Sequence, residues 1–210
     1  MEELKIGFYD PIEQFEAVKR SDEFVEYQKE FAKLLTFTLC REYPNGEVLS
    51  VQAFNDFANS YPNLTKTNLQ AGKIRFDLVA NSVFVHGKKS QVEFDYPGQT
   101  SGPVELGDLI FICTLVFQGK RYLERMTISQ FKMDNDTKNI VSWTIDNDKQ
   151  LYLLSRFPKF KCVEGILPKK EYSLPNTSGC LGSYGLIQKP GDLTFVSGTR
   201  LDALLGKRKT

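Results

Sequence analysis

Histidine is almost missing from this chain. His86 is the single one in 210 residues. That excludes a metal centre built on several imidazoles and leaves a histidine-based triad without support. An excess of one charge is missing too: 27 Lys and Arg stand against 26 Asp and Glu, a net +1. No global basic field advertises nucleic acid, so any such contact has to come from a local patch. The four cysteines, Cys40, Cys113, Cys162 and Cys180, form no C-x-x-C pair, which argues against a zinc ribbon. The longest apolar stretch, Leu109–Phe117, is far shorter than the ~20 residues that span a bilayer. Cys113 lies within it and reads as a reduced core thiol. Met1–Tyr9 is short and acidic rather than leader-like, so a reducing cytoplasm is the expected setting. There is no internal repeat and no low-complexity tract.

What is present is globular in character. Hydrophobic residues make up 41% and charged residues 25%, ample for one domain with a sizeable core. Ser21 caps an expected helix with Phe24, Tyr27, Phe31, Leu34, Leu35 and Thr38 at helical spacing, running to about Glu42. Pro44-Asn45-Gly46 stops it. Ser50 is expected to cap a second helix carrying Phe54, Phe57, Ala58 and Tyr61, ended by Pro62-Asn63. A third short helix is weakly patterned within Lys66–Phe76. From residue 78 the chain turns strand-like. Leu78–His86 and Gln91–Tyr96 are joined at Gly87-Lys88-Lys89, and Pro97–Pro103 is a loop. Leu109–Phe117 and Tyr122–Met133 flank a turn at Gln118-Gly119-Lys120. Val141–Ile145 is a further candidate strand. Asn147 or Asp148 then caps a helix with Leu151, Tyr152 and Leu154, ended by Pro158. The expectation is an α+β (α/β) domain with a mixed central sheet and flanking helices. A helical region, 1–77, would pack on a core, 78–210, whose last fifty residues are irregular, in one compact domain overall.

The chemistry concentrates in Glu105-Leu106-Gly107-Asp108 and Gln130-Phe131-Lys132. A hairpin centred on Gly119 places Asp108 opposite Gln130. Gln130 and Lys132, two apart, share a strand face. Acid, amide and amine thus converge at one end of the hairpin. Such a set suits phosphodiester hydrolysis. Asp108 would hold Mg²⁺ or Mn²⁺, with Gln130 adding a neutral oxygen ligand. Lys132 would orient the attacking water or stabilise the charge that develops on phosphorus. Glu105, three residues before Asp108, is a further candidate acid. His86, Lys88 and Lys89 form a basic turn able to face nucleic-acid phosphates. The structural alternative, favoured for His86, is a strand-end histidine; for Lys88 and Lys89 it is ordinary solvated charge. Gln150 and Tyr152 stand two apart, and Tyr152 reads as core.

This constellation resembles the PD-(D/E)XK, or restriction-endonuclease-like, nuclease superfamily. Asp108 matches its metal-binding acid, and Gln130 with Lys132 its (E/Q)-x-K motif, glutamine standing where glutamate is commoner. More narrowly it resembles uncharacterised microbial proteins with an "ELGDLL…QxK" core and a following "LY…WPxF" segment. Here that segment is Leu151–Phe160, with Phe157 in the place of tryptophan. The similarity covers roughly residues 83–160. It implies a restriction-endonuclease-like core and an Mg²⁺- or Mn²⁺-dependent nuclease. The expected substrate is DNA, in a restriction or defence setting, cut by a homodimer or with a partner subunit. It also implies an acid from the first core helix, for which Glu26 and Glu30 are candidates. The alternative is a catalytically inactive nuclease-like fold that serves as a binding or assembly module.

Overall fold

The structure, a computed structural model, describes residues 11–61, 69–71, 74–135, 141–175, 179 and 181–206. Three helices come first: α1 (Pro11–Lys19), α2 (Asp22–Glu42) and α3 (Glu47–Ser60). Seven strands follow: β1 (Leu69–Ala71), β2 (Ile74–Phe84), β3 (Ser90–Tyr96), β4 (Gln99–Thr100), β5 (Val104–Glu105), β6 (Leu109–Phe117) and β7 (Lys120–Met133). Then come α4 (Asp148–Arg156), β8 (Phe160–Gly165), β9 (Glu171–Tyr172), β10 (Gly182–Gln188), β11 (Asp192–Ser197) and α5 (Gly198–Gly206). The expected α+β fold with a mixed central sheet is present.

The main sheet has the order β1-β2-β6-β7-β10-β11. It is antiparallel except where β10 runs parallel to β7. Side-chain alternation sorts its two faces. Leu109, Phe131 and Ile187 pack with Leu39 of α2 and Val51, Phe54 and Ala58 of α3. Ile110, Ile128, Tyr184 and Leu186 pack with Leu151, Leu153 and Leu154 of α4 and Leu201 of α5. The second layer also takes Val92, Phe94, Phe160 and Cys162 from a smaller sheet in which β3 joins β4, β5 and β8. The central sheet is therefore covered on both sides. Near α1, Val18 and Leu115 make a satellite cluster with Phe15, Phe24, Leu78 and Phe117.

Local chemistry explains the boundaries. The Ser21 hydroxyl accepts from the Phe24 amide, 3.3 Å away, and opens α2. Asn147 does the same for the Gln150 amide at 3.0 Å and opens α4, which Phe157 ends in a left-handed conformation. Ser50 is not a cap. The chain leaves the Tyr43–Asn45 turn through Gly46 at φ 95°, and α3 starts there. Ser50, wholly buried, instead donates its hydroxyl to the Gly46 carbonyl at 2.9 Å. The helix expected within Lys66–Phe76 is replaced by the β1/β2 pair; residues 62–68 and 72–73 lie outside the described residues. The helical region therefore gives way to the sheet before residue 78. Val141–Ile145 forms no strand; Trp143 donates its indole N–H to the Ile187 carbonyl at 3.0 Å. The expected Pro97–Pro103 loop contains the short strand β4. Strands β2 and β3, although adjacent in sequence, do not pair and belong to different sheets. Cys40, Cys113 and Cys162 are free thiols; Cys180 lies outside the described residues.

The β6/β7 hairpin contains an irregularity that the sequence does not announce. Its tight turn is centred between Gln118 and Gly119, since Phe117 pairs with Lys120. Between Leu115 and Val116 the register shifts, leaving Tyr122 as the extra residue. Beyond this bulge Leu109 pairs with Ser129, which sets Asp108 abreast of Gln130. The expected alignment holds, but the bulge rather than the turn's centre produces it.

Phe54 is 6% exposed, with its ring 5.7 Å from Phe131 and 6.2 Å from Phe195. Phe54→Ala should lower the unfolding free energy by about 3–5 kcal/mol in urea denaturation. Phe37, 68% exposed on α2, should tolerate the same change within about 0.5 kcal/mol.

Candidate functional site

The site is built where β2, β5 and β6 meet the far end of β7. Gly107 lets the chain approach β7 closely: a Cβ there would stand 3.0 Å from the Ser129 carbonyl oxygen. Asp108 then donates its amide to that oxygen at 2.9 Å, and its own carbonyl accepts from Val85 at 2.8 Å. The Asp108 side chain, 2% exposed, reaches across to β7. Its Oδ2 accepts from the Phe131 amide and from Gln130 Nε2, each at 2.6 Å. Its Oδ1 lies 2.5 Å from Nδ1 of His86, just past the end of β2.

Glu105 closes the group from β5. Its Oε1 lies 3.2 Å from His86 Nδ1 and accepts from the Gly87 amide. His86, Glu105 and Asp108 each offer a ligand atom, and these lie within 4.8 Å of one another. Burial holds the Glu105 carboxyl above its ordinary range. The Gly87 amide opposes this, and the charge on Asp108 reinforces it. His86 stacks on Phe84 at 5.8 Å. Lys88 and Lys89 occupy an exposed single-turn helix, Gly87–Lys89, beside it. The Lys89 ammonium lies 4.9 Å over the Phe84 ring.

Gln130 is 2% exposed and Gln150, on α4, is 4% exposed. Gln150 Nε2 donates to the Gln130 Oε1 at 2.5 Å and to the Glu105 carbonyl at 3.1 Å. Gln130 thus spends its oxygen on Gln150 and its amide nitrogen on Asp108. To ligate a cation through oxygen it would have to turn over and break both bonds. Lys132, half-buried two residues further on, is electrostatically coupled to Glu105 and to Glu47.

Glu47 is brought to this end of β7 by the helical region. It stands in the first turn of α3, where a helix N-terminus favours negative charge. Its Oε2 accepts from the Met133 amide at 2.8 Å, tying α3 to the end of β7. Burial raises its pKa, with the Met133 hydrogen bond and Lys132 opposing. Glu26 and Glu30 lie elsewhere, on α2. Glu26 pairs with Lys29 at 2.7 Å on the open surface. Glu30 acts on Tyr61, at the opposite end of α3. That end is about 20 Å from Glu47 at 1.5 Å per residue.

Glu47 and Gln150 were not among the residues the sequence singled out for the site. For Gln150 a signal existed: it lies one turn before Leu153 and Leu154, on the buried face of α4, where a glutamine needs a polar partner. For Glu47 there was none, because its partner Met133 is remote in sequence. Tyr152 packs as expected, with its ring 6.2 Å from Phe94 and 5.2 Å from Tyr96. Comparison with known proteins returns no family model that matches the chain, no similar curated protein and no similar solved structure.

A carboxyl whose pKa is raised by folding binds its proton more tightly in the folded state. Its contribution to stability is complete below the unfolded value of 4.5 and is lost as pH rises through the raised one. Glu47→Gln removes this titration. Denaturation at pH 4 and pH 7 should show a smaller loss of stability across that range in Glu47→Gln than in the wild type.

Proposed function

We propose that this protein is a metal-dependent nuclease that hydrolyses phosphodiester bonds, with DNA as the expected substrate. The observation that carries the reading is the convergence of His86, Glu105 and Asp108 within reach of one ion, with the Lys132 ammonium acting electrostatically on Glu105 of that group. Imidazole nitrogen with two carboxylates suits Mn²⁺ better than Mg²⁺, which prefers an all-oxygen shell and keeps its waters. A divalent cation bound there supplies Lewis acidity toward a phosphoryl oxygen and acidifies a coordinated water. Lys132 would stabilise the charge gathering on the phosphoryl oxygens. Glu47, its carboxyl held above the ordinary range mainly by burial, lies within electrostatic range of Asp108, His86 and Lys132. Lys88 and Lys89, exposed beside His86, would position the backbone through its phosphates without reading sequence. The restriction or defence setting rests on the resemblance in Asp108, Gln130 and Lys132 alone. So does a second subunit, homodimeric or distinct.

One observation favours a different reading, a binding or assembly module without catalysis. Both Asp108 oxygens already have protein partners. A cluster so satisfied can tie the ends of β2, β6 and β7 together with no ion at all.

Purified protein with Mn²⁺ should nick or degrade DNA, and EDTA should stop it. Asp108→Ala should abolish cleavage. Lys132→Ala should slow it by about 10²–10³ while leaving Mn²⁺ affinity nearly unchanged, since an ammonium is not a ligand. Equal cleavage by wild type and Asp108→Ala would reject the site.

Gln130→Glu separates the two readings. It replaces the amide nitrogen, 2.6 Å from Asp108 Oδ2, by a second carboxylate oxygen. On the nuclease reading the variant is less stable without metal, binds Mn²⁺ more tightly than wild type, and regains its melting temperature when Mn²⁺ is added. On the module reading Mn²⁺ binds neither protein in isothermal titration and restores nothing.

A further inference from the structure

The buried amides form a chain with one sense. It begins at a main-chain carbonyl, that of Glu105, which can only accept. Gln150 must therefore turn its nitrogen toward it, as the 3.1 Å contact requires. The second N–H of the same nitrogen then points at Gln130, 2.5 Å away, where it needs an oxygen. With its oxygen so fixed, Gln130 can present only its nitrogen to Asp108, at 2.6 Å. Turning Gln130 over would set oxygen against oxygen at Asp108 and nitrogen against nitrogen at Gln150. At 2% and 4% exposure no water relieves either clash. The relay ends by saturating Asp108 Oδ2, which also holds the Phe131 amide. Oδ1 is left as the oxygen that faces His86 and Glu105.

We infer that Gln150 is a positioning residue. From α4 it fixes the sense of the Gln130 amide and so helps the Phe131 amide to hold one oxygen of Asp108, keeping the other turned toward His86 and a divalent cation. This rests on the metal site read from His86, Glu105 and Asp108. Gln130 on this view is not a ligand. It is the middle link through which α4 orients the ligand.

The test uses the full chain with Mn²⁺ as probe and has two arms. In ¹⁵N spectra of metal-free protein, the Gln130 side-chain amide should be resolved well away from those of exposed glutamines. It is identified by its loss in Gln130→Leu. Gln150→Leu should move it toward the exposed values, whereas a residue that only packs would leave it in place. In titration calorimetry, Gln150→Leu should weaken Mn²⁺ binding roughly tenfold, and the effect should vanish in the Gln130→Leu background. Gln150→Asn keeps the amide but is one methylene too short. It should reproduce both results and serves if Gln150→Leu does not fold. An unmoved Gln130 amide, or losses that add between the two positions, would overturn the proposal. Wild-type protein that binds no Mn²⁺ would overturn the metal reading instead, and the amide arm would still decide the relay.

Discussion

A carboxylate taken out of water is tolerated only where donors replace its hydration, and Asp108 imposes that condition on everything around it. Two amide donors meet one oxygen and His86 meets the other. Each fixes a different part of the fold. The Phe131 amide belongs to β7, the Gln130 side chain is held by α4, and His86 ends β2. The acid therefore links three segments, and neither β2 nor β7 can shift along β6 without leaving it unpaired. Glu47 does the corresponding task from the other layer, accepting from Met133 at the end of the same strand. Two buried or half-buried carboxylates thus clamp the same end of β7 from both faces of the sheet.

This arrangement explains why chemistry gathers at the sheet's end and not in its middle. Along β6 and the inner half of β7 apolar side chains alternate into two helical layers, whereas the tip of β7, Lys120–Arg125, is exposed and carries its charges in solvent. Where the strands run out, the chain must supply donors and acceptors for main-chain groups that have lost a ladder partner. Side chains of Asp108, Glu47 and Glu105 take that role at Phe131, Met133 and Gly87. Two of these carboxylates, Asp108 and Glu105, also lie with His86 within 4.8 Å of one another. A substitution at Asp108 therefore disturbs the ends of three segments together with the group around His86 and Glu105.

Much of this was legible in the sequence, and the parts that were not share a cause. The Ser21 and Asn147 caps, the span of α2 and the β6/β7 hairpin follow from local pattern and appear as expected. Asp108 and Gln130 were placed side by side by counting across the hairpin. Local pattern failed where a distant contact decides. The start of α3 was misread because Ser50 is as good a cap by type as Gly46. Glu47 was missed because Met133 lies far along the chain. His86 looked like a strand-end residue, and only folding brings it to Asp108. For Gln130 the motif says which residue stands there and not which way its amide points. That direction is set by Gln150 and a main-chain carbonyl.

The extra residue Tyr122 acts as a phase shift in a two-state alternation. In a pleated strand each residue changes side, so one extra residue near the tip exchanges the two faces for all that follows. Were the tip's register continued, Asp108 would stand abreast of Ser129. Gln130 and Lys132 would then turn toward the layer of α2 and α3, and Phe131 toward α4. The bulge lies at the far end of the hairpin from the site and touches none of its atoms, yet it sets the parity on which the whole polar end depends. Chain length at the hairpin tip is for that reason free to vary only in steps of two, or in single steps that create or remove a bulge.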